Sequence, residues 1–446
     1  MRTRLGCAAA AACLAAIPAQ AQAESRTVTV RVEGVRSDAG RVISNLCADA
    51  QVVFCATYRA SSAATPDGTA LEFTGVAPGR YALVAFHDEN GDGQPQIPPE
   101  GYAFGNGVTF PPTFEGASIL VEDDAAATLG MTYIAGAPIG ATSSGSPGAP
   151  APAGVVRVDV RENGLYAAFY RPQTQERVPA IILLGGSEGG IDVISSMATS
   201  FALEGYGALA LAYWGEQGLP QTLENIPLEY FDAAVEWLKS RPGVEADAIG
   251  VMGWSRGSEA ALLLGARNPD IRAVGAIAPS GVVWQGLDFA DMINAGPAWT
   301  AGGEPLAFLR ADASAYRPNG PMAPIFENVL DDADARPETA IPVERIEGPI
   351  LLISGDADAL FPSVTFAGRI VARLEAAGFA HEVQNLVYPG AGHVVFVGAP
   401  DSPMARSLGA PNATMGGTAE ANAAAWEDNW PRTLAFFGAA LGESGR

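Results

Sequence analysis

The stretch Ile249-Gly250-Val251-Met252-Gly253-Trp254-Ser255-Arg256-Gly257-Ser258-Glu259-Ala260-Ala261-Leu262-Leu263-Leu264 decides the fold. A short apolar run leads into G-x-S-x-G at Gly253 to Gly257, and an apolar helical pattern follows from Ser258. A buried strand that turns at once into a helix forces the corner residue into strained backbone geometry, so its neighbours must be small. The pentapeptide alone is a weak signal. Placed between a buried strand and a helix it marks a nucleophile, and that nucleophile is Ser255.

Outward from the elbow, apolar segments recur at Ala180 to Leu184, Ala208 to Ala212, Ala273 to Ala278, Ile350 to Ile353 and Val383 to Tyr388, separated by longer helical stretches. Strands that are apolar on both faces and alternate with helices imply a mostly parallel sheet covered on both sides. One intervening helix, Leu228 to Ser240, lines up Tyr230, Ala234, Trp237 and Leu238 on one stripe before Pro242 stops it.

A serine hydroxyl needs a base to take its proton. The chain has three histidines. His87 belongs to an N-terminal region of different pattern, and His381 sits in a polar helix-to-strand connection where a solvated surface role fits. His393 closes Tyr388-Pro389-Gly390-Ala391-Gly392-His393, a loop just past the last expected strand, and is the candidate base. The third member must hold the imidazole in one tautomer. Two acids compete in Gly355-Asp356-Ala357-Asp358. Asp358, the fourth residue of G-x-x-D before an apolar residue and Pro362, is preferred over Asp356. The order Ser, Asp, His along the chain is the one expected of an α/β-hydrolase fold.

An acyl oxygen that gains charge needs preorganised donors. One is the backbone N–H of Arg256, directly after the nucleophile. The second is assigned to the Gly-rich loop Leu184-Gly185-Gly186-Ser187-Glu188-Gly189-Gly190, with the Gly186 N–H favoured and Ser187 next. This loop lacks G-x-G-x-x-G and a G-K-[ST] ending, which argues against phosphate binding.

The rest of the chain frames that unit. Arg2 and Arg4 precede an apolar run, Leu5 to Ile17, and then Ala19-Gln20-Ala21-Gln22-Ala23. This reads as a signal peptide over residues 1–23, implying a periplasmic or secreted protein without a membrane span. Residues 24–135 alternate polar and apolar in short runs split by Gly, Pro and Asp, as in Thr27 to Val32 and Arg80 to Phe86, and read as a small β-sandwich. Within it, Cys47 and Cys55 are the two cysteines left after signal removal, and one disulfide in an oxidising compartment is the simplest outcome. Residues 136–154 are nearly all Ala, Gly, Pro and Ser and form a linker. Residues 155–446 are the α/β-hydrolase catalytic domain. Inside it, Trp284 to Glu347 is longer than one helix with loops requires and is expected to cap the site. Apolar residues at 48% and charged ones at 17% fit a globular chain. A formal charge of −23 opposes nucleic acid and anionic membrane as partners.

Asp88-x-Asn90-x-Asp92-Gly93 matches the start of a calcium loop, but Pro99 stands where the bidentate Glu belongs. A turn accounts for the Asn, Asp and Gly residues without an ion. No metal or organic cofactor is needed for the chemistry expected here.

Taken together, the Gly185 to Gly190 loop, Leu209-Ala210-Leu211-Ala212-Tyr213-Trp214, Leu219-Pro220, Leu228-Glu229-Tyr230-Phe231, the elbow, Ile341-Pro342-Val343-Glu344, the Asp358 turn and Tyr388 to His393 carry a resemblance. Residues 160 to 398 resemble the C-terminal domain of the acyl-CoA thioesterases and bile acid-CoA:amino acid N-acyltransferases. The resemblance implies ester or thioester cleavage through an acyl-enzyme on Ser255, with Asp358 and His393 completing the triad. The usual N-terminal domain of that family is absent. In its place Arg26 to Ile134 resembles the domain of unknown function DUF2141, through Gly79-Arg80-Tyr81-Ala82-Leu83 and His87-Asp88-Glu89-Asn90-Gly91-Asp92-Gly93. Coenzyme A is cytosolic, so an exported member shares the reaction more surely than the substrate.

The expected function is an exported serine hydrolase acting on a small acyl ester or thioester. Relatives that conjugate amines use a cysteine nucleophile, and a serine ester is more readily resolved by water. Transfer of the acyl group to an amine or alcohol, or an inactive binding module on a hydrolase fold, are the alternatives.

Overall fold

The computed structural model describes residues 25–48, 57–89, 101–108, 114–133, 151–216, 218–288, 294–317, 321–402 and 415–442. The expected signal peptide, Cys55, the calcium-loop positions from Asn90 to Pro99, most of the linker, and Phe289 and Met292 of the expected cap lie outside them. Cys47 is disulfide-bonded.

Between Arg26 and Gly130 the strands form two sheets. In one, Arg26–Glu33 lies between antiparallel Thr69–Val76 and parallel Ala125–Gly130. In the other, Arg41–Cys47 lies between Tyr58–Ala63 and Gly79–Asp88, and the last also pairs with Gly101–Phe104 and Ser118–Val121. Val28, Val30 and Val32 from the first sheet share one core with Val42, Leu46, Leu83 and Ala85 from the second. The period of two read from Thr27 to Val32 is the alternation that aims one side of each strand at that core.

The second unit is built on eight strands: β1 (Val155–Val160), β2 (Tyr166–Pro172), β3 (Val178–Leu184), β4 (Gly207–Ala212), β5 (Val244–Trp254), β6 (Ile271–Ile277), β7 (Ile350–Gly355) and β8 (Val383–Tyr388). Their spatial order is β1-β2-β4-β3-β5-β6-β7-β8. β2 runs antiparallel to both its neighbours, and every pair from β4 to β8 is parallel. With helices on both faces, this is the α/β-hydrolase fold.

The all-apolar strands have the physical cause expected of them. Along β3, Ile182 and Leu184 enter one core while Ile181 and Leu183 enter the other. The first core is covered by α2 (Glu229–Lys239), α3 (Arg256–Arg267) and α4 (Ser363–Ala376); the second by α1 (Asp192–Leu203) and α5 (Ala419–Leu441). Each fully buried side chain of Leu or Ile size contributes about 1.5–3 kcal/mol, so two continuous cores fix the sheet and aim the carboxyl ends of its strands.

The described residues between Trp284 and Glu347 form short pieces rather than one helix. Trp299–Ala301 pairs with Ile226–Pro227, and two brief helices cover Ala323–Glu327 and Leu330–Ala335. The Trp284 ring meets Phe326, Phe361 and Phe366 at centroid distances of 4.9, 6.1 and 5.8 Å. The Met322 and Ala323 N–H groups donate to the Ala359 carbonyl, which ties the segment to the turn holding Asp358.

Candidate active site

Ser255 stands between the end of β5 and the start of α3 with φ 55° and ψ −119°, a left-handed backbone that a residue with a side chain adopts only under constraint. The neighbouring glycines are obligatory. A Cβ on Gly253 would fall 1.9 Å from the Gly257 carbonyl oxygen, and one on Gly257 would fall 2.3 Å from the carbonyl oxygens of Leu184 and Gly185. α3 begins at Arg256, two residues earlier than the apolar pattern alone indicates, because helical hydrogen bonding starts immediately after the corner.

Asp358 follows β7 and His393 follows β8. The Asp358 carboxylate is fully engaged: Oδ1 accepts from the N–H groups of Leu360 (3.0 Å) and Phe361 (2.9 Å), while Oδ2 accepts from Ser363 Oγ (2.8 Å) and lies 2.9 Å from His393 Nδ1. Both side chains are only 2% exposed. A carboxylate on Nδ1 selects the tautomer with Nε2 free to accept. Asp356, the competing acid, instead accepts from the Gly390 N–H (2.6 Å) and pins the start of the histidine loop. That loop is fastened again where the His393 N–H donates to the Met415 carbonyl (2.8 Å) and the Gly392 N–H to Asn422 Oδ1 (2.9 Å).

The imidazole is brought to the elbow by Trp254, the residue before Ser255. Its ring lies 5.8 Å from the His393 ring at 37°, and its indole N–H donates to the His393 carbonyl (3.2 Å). On the opposite side, a Cβ on Gly186 would fall 2.9 Å from the Ser255 Cβ, so the Gly-rich loop abuts the nucleophile. Tyr213 and Trp214 hold this loop from the end of β4 by donating to the carbonyls of Gly185 (2.6 Å) and Gly186 (3.3 Å). Burial, followed by the nearby Glu188 carboxylate, pushes the Tyr213 hydroxyl well above its ordinary pKa, so it remains a donor.

Of the residues singled out in the sequence, Gly186 abuts Ser255, Arg256 follows it, and the bonded pair Asp358 and His393 is held against Trp254 just before it. His381 is exposed beyond it, and His87 is buried in the N-terminal unit between Tyr133 and the Ala39 carbonyl. Among the described residues no group of three or more His, Cys, Asp or Glu side chains is arranged for a metal ion, and no helix is long and apolar enough to cross a membrane.

Two acids had no role in the sequence reading. Glu259, 1% exposed on α3, accepts from Trp299 Nε1 (2.6 Å) and the Trp284 N–H (3.0 Å), and its Oε2 lies 2.7 Å from Arg256 Nη1. Arg256 also donates to the Gln285 carbonyl (2.8 Å). A charged residue at the variable position of the elbow, with another three residues on, was the available sign. Glu188, inside the Gly-rich loop, accepts from the Gly186 N–H at 2.8 Å. The N–H expected to be an open oxyanion donor thus already has an acceptor.

Residues 226–443 match the family described as BAAT / Acyl-CoA thioester hydrolase C terminal, and residues 30–128 match the uncharacterized bacterial family DUF2141. Over 300 residues the chain is 31% identical to acyl-coenzyme A thioesterase 2, mitochondrial, of Mus musculus, covering 65% of this chain and 61% of that protein. Over 299 residues it is 30% identical to acyl-coenzyme A amino acid N-acyltransferase 2 of Rattus norvegicus, covering 66% of this chain and 67% of that protein. A solved putative dienelactone hydrolase from Klebsiella pneumoniae subsp. pneumoniae MGH 78578 is similar at TM-score 0.41 and 19% identity, over 64% of this chain and 98% of that one.

Proposed function

Because the chain belongs to the BAAT / acyl-CoA thioester hydrolase family, we propose that it is a serine hydrolase that cleaves an acyl ester or thioester through an acyl-enzyme on Ser255. Ser255 Oγ attacks the acyl carbon and its proton passes to His393 Nε2; the same proton then goes to the departing alcohol or thiol. Asp358 keeps Nδ1 protonated and offsets the charge of the imidazolium. A water activated by His393 repeats the sequence and releases the acid. The Arg256 N–H receives the oxyanion in both steps, joined by the Gly186 N–H when Glu188 gives it up.

One observation carries this reading. The buried 2.9 Å Asp358–His393 contact is packed against Trp254, next in sequence to a serine of left-handed φ. A fluorophosphonate probe is expected to label the protein and to fail on Ser255→Ala; labelling that survives the substitution refutes the nucleophile. Pantetheine thioesters compared with oxygen esters over a range of chain lengths then define the leaving group and acyl chain.

Export belongs to the same proposal and rests on the pattern from Arg2 to Ala23. It predicts a periplasmic or secreted product whose N-terminus begins after Ala23, and intact residues 1–23 on the cellular protein would remove it. Acyl transfer is the second reading, favoured by the similarity to a protein named as an amino acid N-acyltransferase. Glycine or taurine added to the reaction decides between them, since a transferase forms the amide and a hydrolase only the acid.

A further inference from the structure

The loop beside the nucleophile holds a carboxyl group on an N–H that an oxyanion needs. Glu188 Oε1 is 2.8 Å from the Gly186 nitrogen and accepts from its N–H. A Cβ on Gly186 would meet the Ser255 Cβ at 2.9 Å and Glu188 Oε2 at 3.0 Å, so nucleophile and carboxylate flank the same point. A Cβ on Gly185 would meet Glu188 Oε1 at 2.6 Å. The carboxylate is therefore seated in the hollow left by two absent side chains. Immediately after it, Gly189 and Gly190 both adopt left-handed backbone, at φ 65° and 63°. The Tyr213 and Trp214 bonds fasten the carbonyl sides of Gly185 and Gly186.

Building on the hydrolase reading, we propose that Glu188 is a resident competitor for the Gly186 oxyanion donor, a carboxylate plug that the tetrahedral intermediate must displace. When the Ser255 oxygen bonds to the acyl carbon, the carbonyl π pair moves onto oxygen and the serine proton moves to His393. The new oxyanion then takes the place of Glu188 Oε1 on the Gly186 N–H. Until that moment the N–H is paired, so the ground state gains nothing from it. A carboxylate remaining beside the new oxyanion would repel it, so Glu188 has to withdraw as the charge forms. Burial, opposed in part by the bond from the Gly186 amide and by His393, raises the Glu188 pKa and weakens its hold as an anion.

The competitor acts on the transition state alone, which separates it from a strut that shapes the loop. Removing a single oxyanion donor costs on the order of 10²–10³ in kcat, so freeing one that is blocked is expected to return part of that factor. With p-nitrophenyl acetate, Glu188→Ala is expected to raise kcat about tenfold or more at unchanged KM, with Glu188→Gln between it and the wild type. A trifluoromethyl ketone, which forms the oxyanion on Ser255, is expected to bind more tightly in the same order. If kcat and ketone affinity fall in Glu188→Ala but stay normal in Glu188→Gln, the carboxylate positions the loop and the plug is refuted. Unchanged values in both variants refute it as well. Fluorophosphonate labelling of the wild type, run beside these assays, separates the premises: no labelling removes the hydrolase reading, whereas normal labelling with the wrong variant order removes only the plug.

Discussion

Trp254 is bound to His393 in two ways, through the indole N–H to the His393 carbonyl (3.2 Å) and through ring packing at 5.8 Å. The residue at the base of the elbow therefore sets the height of the histidine loop above the nucleophile. Trp254→Phe keeps the packing and loses the hydrogen bond, worth about 0.5–1.5 kcal/mol. The expected result is a several-fold fall in kcat with KM nearly unchanged, and a stability loss of at least that order because Trp254 is buried and the ring shrinks. An equal rise in KM would show that the indole shapes the acyl pocket instead.

Asp358 and Asp356 stand two residues apart and separate cleanly by function. Asp358→Asn leaves an amide on Nδ1 that favours the wrong tautomer, and the kcat loss is expected on the order of 10⁴. Asp356→Asn touches only the Gly390 N–H (2.6 Å) and is expected to cost about 1 kcal/mol of stability with a small kinetic change. Rates and urea midpoints of the two variants check this, and a larger kinetic loss at Asp356 would reverse the assignment.

The parts of this site legible in the sequence are those fixed by backbone economy. Gly253, Gly257, the apolar strand before them and the helix after them announce the elbow because no other residue type fits the two glycine positions. Asp358 follows because it lies just past a buried apolar strand, and His393 because it closes a Gly-rich loop just past the half-exposed edge strand. The roles of Glu188 and Glu259 were not legible. Each depends on a contact with a segment far from it in sequence or on one rotamer inside a loop, and a lone acid carries no periodicity. The segment from Trp284 to Glu347 shows the same limit: its length marked it as an insertion, while its docking through Trp299 onto Glu259 and through Met322 onto Ala359 is tertiary.

Glu259 and Arg256 form a buried pair that anchors this segment to the elbow helix. Burial raises the Glu259 pKa against the opposing pull of Arg256. Breaking a buried pair by removing one partner costs about 3–5 kcal/mol, because a charge is left without its counterpart. Glu259→Gln should therefore be destabilised by that order, and the double variant Glu259→Gln with Arg256→Gln should recover much of the loss. The midpoint of chemical denaturation measures both. Additive losses would show that the pair is not coupled.

Glu344 sits in the short turn after Ile341-Pro342-Val343 and is paired with Arg373 on α4, through contacts of 2.6 and 2.9 Å. The bond from the Arg373 guanidinium holds its carboxyl below the ordinary value of 4.5, partly opposed by burial. Between the lowered native pKa and 4.5 the unfolded chain binds more protons than the native one, so stability rises with pH across that interval. The contribution is complete above 4.5 and disappears as pH falls through the native value. The pair is partly exposed and screened, which limits it to about 1 kcal/mol or less. The stability difference between wild type and Glu344→Gln should therefore be present at pH 7, shrink toward zero as pH falls through the lowered native value, and diminish at high salt. A difference that stays constant across this range would assign the effect to packing of the turn rather than to the charge.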